Sequence, residues 1–480
     1  MKVCFIAEGC YPYEIGGVSS WIHSIINTFP DIEFSLIAIV ASRENRGKFR
    51  YTLPDNLTSV TEVYLTDFDW VGKGKKDKKQ RAHLDSRQRD ALKTLVSGEN
   101  VDWEGIFSIF TTNRTSVDAL LMSPEFLDVI MAFYKEKYSK VPFTDFLWTM
   151  RSIYLTLFLA LKCDPPEADI YHCVATGYAG IIGSLAKSRY PSSRLIITEH
   201  GIYTREREEE IIRAKWVQGI FKDIWIEQFR KMSLCAYNYA DRVTALFAQA
   251  RLLQLELGCP PEKTVVIPNG IRTELFSYIP QKPEDDTNFN IGAILRITPI
   301  KDVKTMITAF HYANQRNPRL KLWIMGPSAE NEDYANECME LAKSLGAKNI
   351  VFTGSIKTTD YIGKMDMTLL TSISEGQPLT VLESFAAKKP CVATNVGNCY
   401  GLIYGETDDF GAAGIVVPIM NIPAITDALI YMAEDEARCR AMGENGYKRV
   451  LLKYKNNDMK KAYAELYQAL SNTEMRWRTI

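Results

Sequence analysis

Two glutamates eight positions apart, Glu375 and Glu383, close the stretch Thr371-Ser-Ile-Ser-Glu-Gly-Gln-Pro-Leu-Thr-Val-Leu-Glu383. The pattern predicts an apolar strand over Met367 to Leu370, a small-residue loop with Gly376 and Pro378, and an apolar helix immediately after. At the carboxyl end of a parallel strand the first N–H groups of the next helix have no intrahelical partner, and the helix dipole favours an anion there. One carboxylate precedes those donors, and the other is expected about two turns inside the helix. Two acceptors for sugar hydroxyls then flank a phosphate-sized hole, which is the layout a nucleotide-sugar site needs.

Arg296 and Lys301 lie in Leu295-Arg-Ile-Thr-Pro-Ile-Lys-Asp302, between an expected strand and an expected helix. Two fixed cations near a departing diphosphate stabilise the transition state more than the ground state. Arginine supplies a bidentate fork and lysine a point charge. By itself an Arg-x4-Lys pair is ordinary surface chemistry flanking a turn; the two glutamates are what favour the binding reading. Gly16 and Gly17 fall in the first strand-to-helix loop, where absent side chains let a phosphate come close to the backbone, a weak signal when taken alone. The dinucleotide pattern Gly-x-Gly-x-x-Gly is missing there, which counts against a nicotinamide dehydrogenase.

His200 follows Ile196 and Ile197 in Thr198-Glu-His-Gly201, so it is expected at a strand end, free to exchange hydrogen bonds near neutral pH. The plainer alternative is a packed histidine that tethers a loop. His172, after Asp169-Ile-Tyr, is also expected at a strand end, and packing and substrate contact stay equally open for it. No paired-carboxylate motif is placed to hold a divalent metal under a nucleotide, and no His-Glu-x-x-His occurs. No metal or other cofactor is therefore expected, and Arg296 with Lys301 would replace the cation.

The elements that must position these residues alternate as strand and helix. The chain of 480 residues is long enough for two or three domains. Lys2 to Ala7 reads as a buried parallel strand, followed by a helix from about Val18 to Phe29 and a strand from Phe34 to Val40. Asp67 to Asp90 is highly charged, with the basic run Lys73 to Lys79, and leads into long helical stretches up to about Leu161. This is expected to be a helical insertion, about 67–165, with a solvated edge rather than a binding site. The α/β rhythm resumes at Ala168, and Gln281 to Asn288 is the best linker candidate before a second α/β series. The expectation is an α/β protein of two Rossmann-like domains facing each other across a cleft: 1–279, on the acceptor side, and 288–455, binding nucleotide sugar. A final helix within 456–480 would cross back to the first.

Hydrophobic residues make up 46% and charged residues 24%, so disorder does not dominate. With 57 basic against 58 acidic residues, nothing calls for nucleic acid as an obligatory partner, and any anion site must be local. Ten cysteines stand singly, without metal-ligand spacing, and read as reduced and structural. Together with an amino terminus unlike a signal peptide, they point to a cytoplasmic location. The longest apolar run, Ile153 to Leu161, is far short of the ~20 residues needed to span a bilayer.

Taken as a set, Gly16-Gly17, His200, Arg296, Lys301, Glu375 and Glu383 resemble the retaining glycosyltransferases of family 4, which have the GT-B fold. The resemblance covers nearly the whole chain, with the helical insertion its least family-like part. Ile197-Thr-Glu-His-Gly-Ile-Tyr-Thr-Arg-Glu-Arg207 and Met325-Gly-Pro-Ser-Ala-Glu-Asn-Glu-Asp-Tyr-Ala-Asn-Glu-Cys338 are similar to a branch of that family in Pel-type exopolysaccharide synthesis. The resemblance implies that His200, Arg296, Lys301 and Glu375 form the catalytic set. Arg296 and Lys301 would hold the donor pyrophosphate, Glu375 the sugar hydroxyls and Glu383 the ribose. Gly376, Gln377, Pro378, Leu379 and Thr380 would line the donor, with Gly16 and Gly17 at its diphosphate. His200 would stand beside the transferred sugar, and His172, Glu199, Tyr203, Arg205 and Arg207 are candidates for the acceptor side.

The resemblance further implies hexosyl transfer, with retention and without a metal, from a UDP-sugar to a growing exopolysaccharide. UDP-glucose or UDP-N-acetylhexosamine would be the donor. Partners would be the nucleotide sugar, the polysaccharide acceptor and Pel-like synthase subunits, which would recruit the protein to the inner face of the cytoplasmic membrane. Two departures stand out: Gln377 occupies a position that is often aromatic or aliphatic, and Asn395-Val-Gly-Asn398 lacks the usual double glycine. Two rival readings are a nucleotide-sugar epimerase of the same fold and a non-catalytic nucleotide-sugar-binding subunit of a membrane synthase. The intact set of two cations and two glutamates weighs against the second.

Overall fold

The computed structural model describes residues 1–40, 43–66, 82–112 and 115–471. The basic run expected to be a solvated edge, Lys73 to Lys79, lies outside the described residues. The chain forms two compact units, Met1–Val266 with the chain from Ala464, and Ile267–Tyr463.

The first unit is built on a seven-stranded, wholly parallel sheet. Its strands are β1 (Lys2–Glu8), β2 (Glu33–Val40), β3 (Leu57–Tyr64), β4 (Ile170–Cys173), β5 (Arg194–Glu199), β6 (Arg242–Ala245) and β7 (Thr264–Val266), in the order β3-β2-β1-β4-β5-β6-β7. Val3 to Ala7 are all buried, as a strand covered by helices on both faces requires. The second unit has a six-stranded parallel sheet of β8 (Phe289–Ile294), β9 (Leu320–Met325), β10 (Ile350–Gly354), β11 (Met367–Leu370), β12 (Cys391–Thr394) and β13 (Gly414–Val417), in the order β10-β9-β8-β11-β12-β13. Each sheet is doubly wound, so strand order reverses once, between β1 and β4 in the first and between β8 and β11 in the second. Ligands of such sheets bind outside the carboxyl ends of the strands at that reversal.

Helices fill the insertion between Ser86 and Leu161. Asp85 accepts from the Gln88 N–H while Gln88 Oε1 accepts from the Asp85 N–H, a capping box that fixes the first helical turn. Leu92, Phe107, Phe126, Ile130, Phe146 and Phe158 are buried in one core with Cys4 and Ile6 of β1, so the insertion extends the first unit's core.

The boundary between the units falls at Val266/Ile267, earlier than the linker expected at 281–288. Ile271, Phe276 and Ile279 are buried against Val381, Leu382, Phe385 and Tyr454 of the second unit's core, which ties the whole of 267–279 to that unit. Ile271 also forms an isolated parallel bridge with Lys455. The last helix, Asn456–Ser471, begins in the second unit, and its residues from Ala464 belong to the first. Arg449, fully buried, donates to both carboxylate oxygens of Asp408 and to the carbonyls of Leu402, Ile403 and Gly411, so this ion pair leaves no guanidinium nitrogen unmatched. Among the described residues, no helix is long and apolar enough to cross a membrane.

Candidate functional site

In the second unit the reversal between β8 and β11 brings two loops together. Pairing of Met367 with Ile291 and of Thr368 with Gly292 sets the register. The segment after β8 runs through Arg296 to Lys301, the last residue of a short 3-10 turn, Pro299–Lys301. The segment after β11 runs through Thr371 to Pro378. Ile373 N–H donates to the Ile300 carbonyl at 2.8 Å, and the Thr371 hydroxyl donates to the Lys301 carbonyl at 2.9 Å. With the backbones tied this way, Lys301 Nζ stands 2.5 Å from Oε1 of Glu375, and Ser372 Oγ donates to the same oxygen at 2.5 Å. Only 18% of the Lys301 side chain and 12% of the Glu375 side chain face solvent, so the pair is far better shielded than a surface salt bridge. Arg296 is more open and pairs with Glu330 at 2.7 Å.

The helix after the loop, Leu379–Ala386, has Pro378 as its N-cap and no side chain capping it. Val381 N–H turns back to the Pro378 carbonyl at 3.2 Å, so among the described residues the N–H groups of Leu379 and Thr380 are the ones left to meet an anion or a hydroxyl. Glu383 is the fifth residue of this helix, little more than one turn inside it rather than two. Its carboxylate accepts no hydrogen bond among the described residues, and burial pushes its pKa up to about 7. Gln377 is buried; its Oε1 accepts from the Asn269 N–H at 2.7 Å while Nε2 has no partner.

The opposite side of the loop rests on the segment after β12. Asn398 N–H donates to the Gly376 carbonyl at 2.9 Å, and the Thr394 hydroxyl donates to the Ser372 carbonyl at 2.6 Å. The departure at Asn395–Asn398 is resolved simply. Gly397 takes the left-handed conformation (φ 51°), whereas Asn398, at φ −91°, holds the N-cap position of the next helix without a side-chain capping bond. One glycine is enough, and it must be glycine, because a Cβ there would lie 2.1 Å from the Gly376 carbonyl oxygen.

In the first unit, Gly16 is the extended N-cap of the Gly17–Thr28 helix, again without a side-chain cap. Any residue adopts its φ of −174°, and a Cβ would meet nothing within 4 Å. The fold itself gives no reason for glycine at this position. His200 follows β5 with Trp21 edge-on at 4.8 Å. Burial lowers its pKa to about 4, so the ring is neutral at pH 7, and its buried Nε2 has no partner among the described residues.

Several acceptor-side candidates turn out to be framework. His172 lies within β4 rather than at a free strand end, is fully buried and stacks on Phe5. Its Nδ1 bonds the Tyr467 hydroxyl at 2.7 Å and its Nε2 the Thr198 hydroxyl at 2.8 Å, which favours packing of the two readings left open. Glu199 is buried and accepts from Tyr237 OH, Gln254 Nε2, Thr176 Oγ1 and the Tyr203 N–H. Tyr203 donates through its hydroxyl to Glu8 at 3.1 Å, and Arg207 packs over the Tyr203 ring and bonds Glu210. Arg205 is exposed.

Sequence reasoning missed Glu8, Ser372 and Asn269. Glu8 ends β1 and also accepts from the Tyr178 N–H at the start of the helix Tyr178–Arg189, at 3.0 Å. An acidic residue closing the first strand and an Asn-Gly pair after β7 were the available signals. Among the described residues, no group of three or more His, Cys, Asp or Glu side chains is placed to hold a metal ion.

The chain belongs to the family described as "Domain of unknown function (DUF3492)", matched over residues 1–262, and residues 277–449 match the family described as "Glycosyl transferases group 1". Among curated relatives it is similar to the MMP alpha-(1->4)-mannosyltransferase of Mycolicibacterium hassiacum, 25% identical over 59% of this chain and 66% of that protein. It is also similar to the UDP-Gal:alpha-D-GlcNAc-diphosphoundecaprenol alpha-1,3-galactosyltransferase of Escherichia coli, 25% identical over 62% of this chain and 76% of that one. The crystal structure of Anabaena HepE in complex with UDP and glucose matches with a TM-score of 0.58 and 13% identity, over 98% of this chain and 100% of that one. Sucrose-phosphate synthase of Thermosynechococcus elongatus matches with a TM-score of 0.61 and 14% identity, over 98% of each chain. The fold is GT-B, as in these solved structures, and residues 277–449 carry a group 1 glycosyltransferase domain.

Proposed function

We propose that this protein transfers a hexosyl unit, with retention of anomeric configuration and without a metal ion, from a UDP-sugar to a growing exopolysaccharide. The observation that carries the reading is the shielded Lys301–Glu375 pair at the β8/β11 reversal, beside an uncapped helix N-terminus. A diphosphate has a cation and free N–H donors there, and sugar hydroxyls have a fixed carboxylate. Arg296 adds a second cation at the edge of the same loop. Glu383, without a partner of its own, is assigned to the ribose hydroxyls.

Lys301 and Arg296 would stabilise negative charge on the departing diphosphate, the task a divalent cation performs elsewhere. Because a phosphate oxygen helps to deprotonate the incoming hydroxyl, retention needs no nucleophilic side chain. His200, neutral and with Nε2 free, is assigned as a hydrogen-bonding group for the transferred sugar. The donor class is supported by the UDP-Gal galactosyltransferase relative and by the UDP complex of HepE. The acceptor class is supported by the capsular polysaccharide biosynthesis glycosyltransferase CapM of Staphylococcus aureus, 26% identical over 39% of this chain. The strings Ile197–Arg207 and Met325–Cys338 are similar to those of PelF, a family 4 enzyme, which suggests UDP-glucose or a UDP-N-acetylhexosamine as donor, with Pel-like membrane subunits as partners.

The test is product formation and UDP release by Lys301→Ala and Arg296→Ala, each checked for native circular dichroism. Lys301→Ala should lose about 10²–10³-fold in turnover, the scale of removing one preorganised charge-stabilising group. Undiminished turnover by both variants overturns the mechanism. Conversion of a UDP-hexose to another without any acceptor would establish the epimerase in its place.

A further inference from the structure

Gln377 is 6% exposed, and its carboxamide can adopt only one orientation. Its side chain faces the Asn269 backbone N–H at 2.7 Å, and an N–H can only donate, so the atom presented to it must be the amide oxygen. The NH2 group is thereby turned the other way and held there. Nε2 carries two donor hydrogens, is buried, and has no partner among the described residues. Leaving a buried donor unmatched is costly. Apolar side chains of similar size would avoid that cost, and the resemblance places aromatic or aliphatic residues at this position.

Two more observations place this orphan donor at a ligand rather than in a packing fault. Gln377 lies between Glu375, whose carboxylate is fixed by Lys301 and Ser372, and the uncapped start of the Leu379–Ala386 helix. Asn269, which supplies the clamp, is itself 9% exposed, and its Oδ1 is also buried and unpartnered. A loop that carries a free donor, a free acceptor and open helix N–H groups offers what a polyhydroxylated ligand can satisfy.

We infer that the Gln377 NH2 is a recognition group for the transferred sugar, donating a hydrogen bond to one of its hydroxyl or N-acyl oxygens, with Asn269 as its positioning residue. This rests on the reading of the loop as a sugar-nucleotide site. The side chain then sets which hexose the loop prefers.

Glu and Met variants separate recognition from packing. Gln377→Glu keeps an oxygen for the Asn269 N–H but puts a second, negatively charged oxygen where the NH2 was, whereas Gln377→Met removes both polar atoms and adds no charge. Binding of UDP, UDP-glucose, UDP-GlcNAc and UDP-GalNAc is measured by calorimetry on the full chain. The inference expects Gln377→Met to bind UDP as wild type does, and to lose about tenfold for the preferred sugar nucleotide, as one hydrogen bond of this kind is worth. Gln377→Glu should lose more for that sugar nucleotide than for UDP, because its second oxygen repels the sugar oxygen the NH2 would meet. An equal change for UDP and for the sugar nucleotide, or no change in either, overturns the inference and leaves Gln377 a structural clamp. If the wild-type chain binds none of the four, the sugar-nucleotide reading itself fails, a result distinct from both.

Discussion

Lys301 and Glu375 are 74 positions apart in the chain, yet Nζ and Oε1 meet at 2.5 Å because β8 and β11 are neighbours at the point where the sheet reverses. Each charge makes the other's shielding tolerable, since either one left alone in so enclosed a place would be costly. The carboxylate holds the ammonium in place before any ligand arrives, so little reorganisation is left for the moment of charge development. Glu375 in turn has one oxygen committed to Lys301 and Ser372, so in the proposed binding mode Oε2 would be the atom that meets sugar hydroxyls.

Glu383 behaves differently, because it has no such partner. With its pKa pushed up to about 7 by burial, a large share of the group is protonated at neutral pH. Hydroxyl donors of a bound ribose favour the carboxylate form, so binding should draw the pKa down and release protons. Calorimetry of UDP binding at pH 7 in buffers of different ionisation enthalpy should show a fraction of a proton released. Affinity should rise between pH 6 and pH 8, and Glu383→Gln should abolish both effects. UDP affinity indifferent to pH in the wild type, or to this substitution, would remove Glu383 from the ribose.

Gly397→Ala should damage binding more than stability. The added Cβ would fall 2.1 Å from the Gly376 oxygen and 2.4 Å from the Glu375 oxygen, both backbone atoms that cannot swing aside as a side chain would. Relief requires the 375–376 peptides to move, and the Glu375 carboxylate and the helix N–H groups move with them. Displacements of this size cost about 1–3 kcal/mol in stability and, at a reacting centre, on the order of 10²-fold in rate. Turnover and thermal unfolding of the same sample decide it. A variant with wild-type turnover would show that the loop position is not critical.

The Arg449–Asp408 pair should govern acid stability of the second unit. Hydrogen bonds from Arg449 hold the Asp408 carboxyl below the usual carboxylate range. Because the folded pKa is depressed, the stabilisation is complete above the unfolded value of about 3.9 and is lost as pH falls through the lower folded value. Arg449→Met strands a buried carboxylate and should cost about 3–5 kcal/mol. Asp408→Asn should cost less and flatten the pH dependence below pH 5. Equal acid sensitivity in wild type and Asp408→Asn, followed by thermal unfolding, would show that other groups control it.

The residue types of the second unit's site were plain from local pattern: an apolar strand, a Gly-x-Pro loop and two glutamates need no tertiary information to be read as a ligand loop. The strand-helix alternation likewise predicted parallel sheets. His172 illustrates where local pattern stops. Its strand context could not distinguish contact from packing, because its partners Thr198 and Tyr467 are 26 and 295 positions away. The unit boundary was misplaced for a related reason: Pro and acidic residues suggested a linker at 281–288, whereas the burial of Ile271 and Phe276 depends on distant helices.

The sequence by itself determined which side chains were available and that they would lie at strand ends, because hydrophobic periodicity and loop composition are local properties. Only the tertiary structure decided which of them meet. Strand order is set by how the sheet packs as a whole, and from that order came the pairing of Lys301 with Glu375, whereas the clamp of Asn269 on Gln377 follows from the packing of the segment after β7 on the second unit's core.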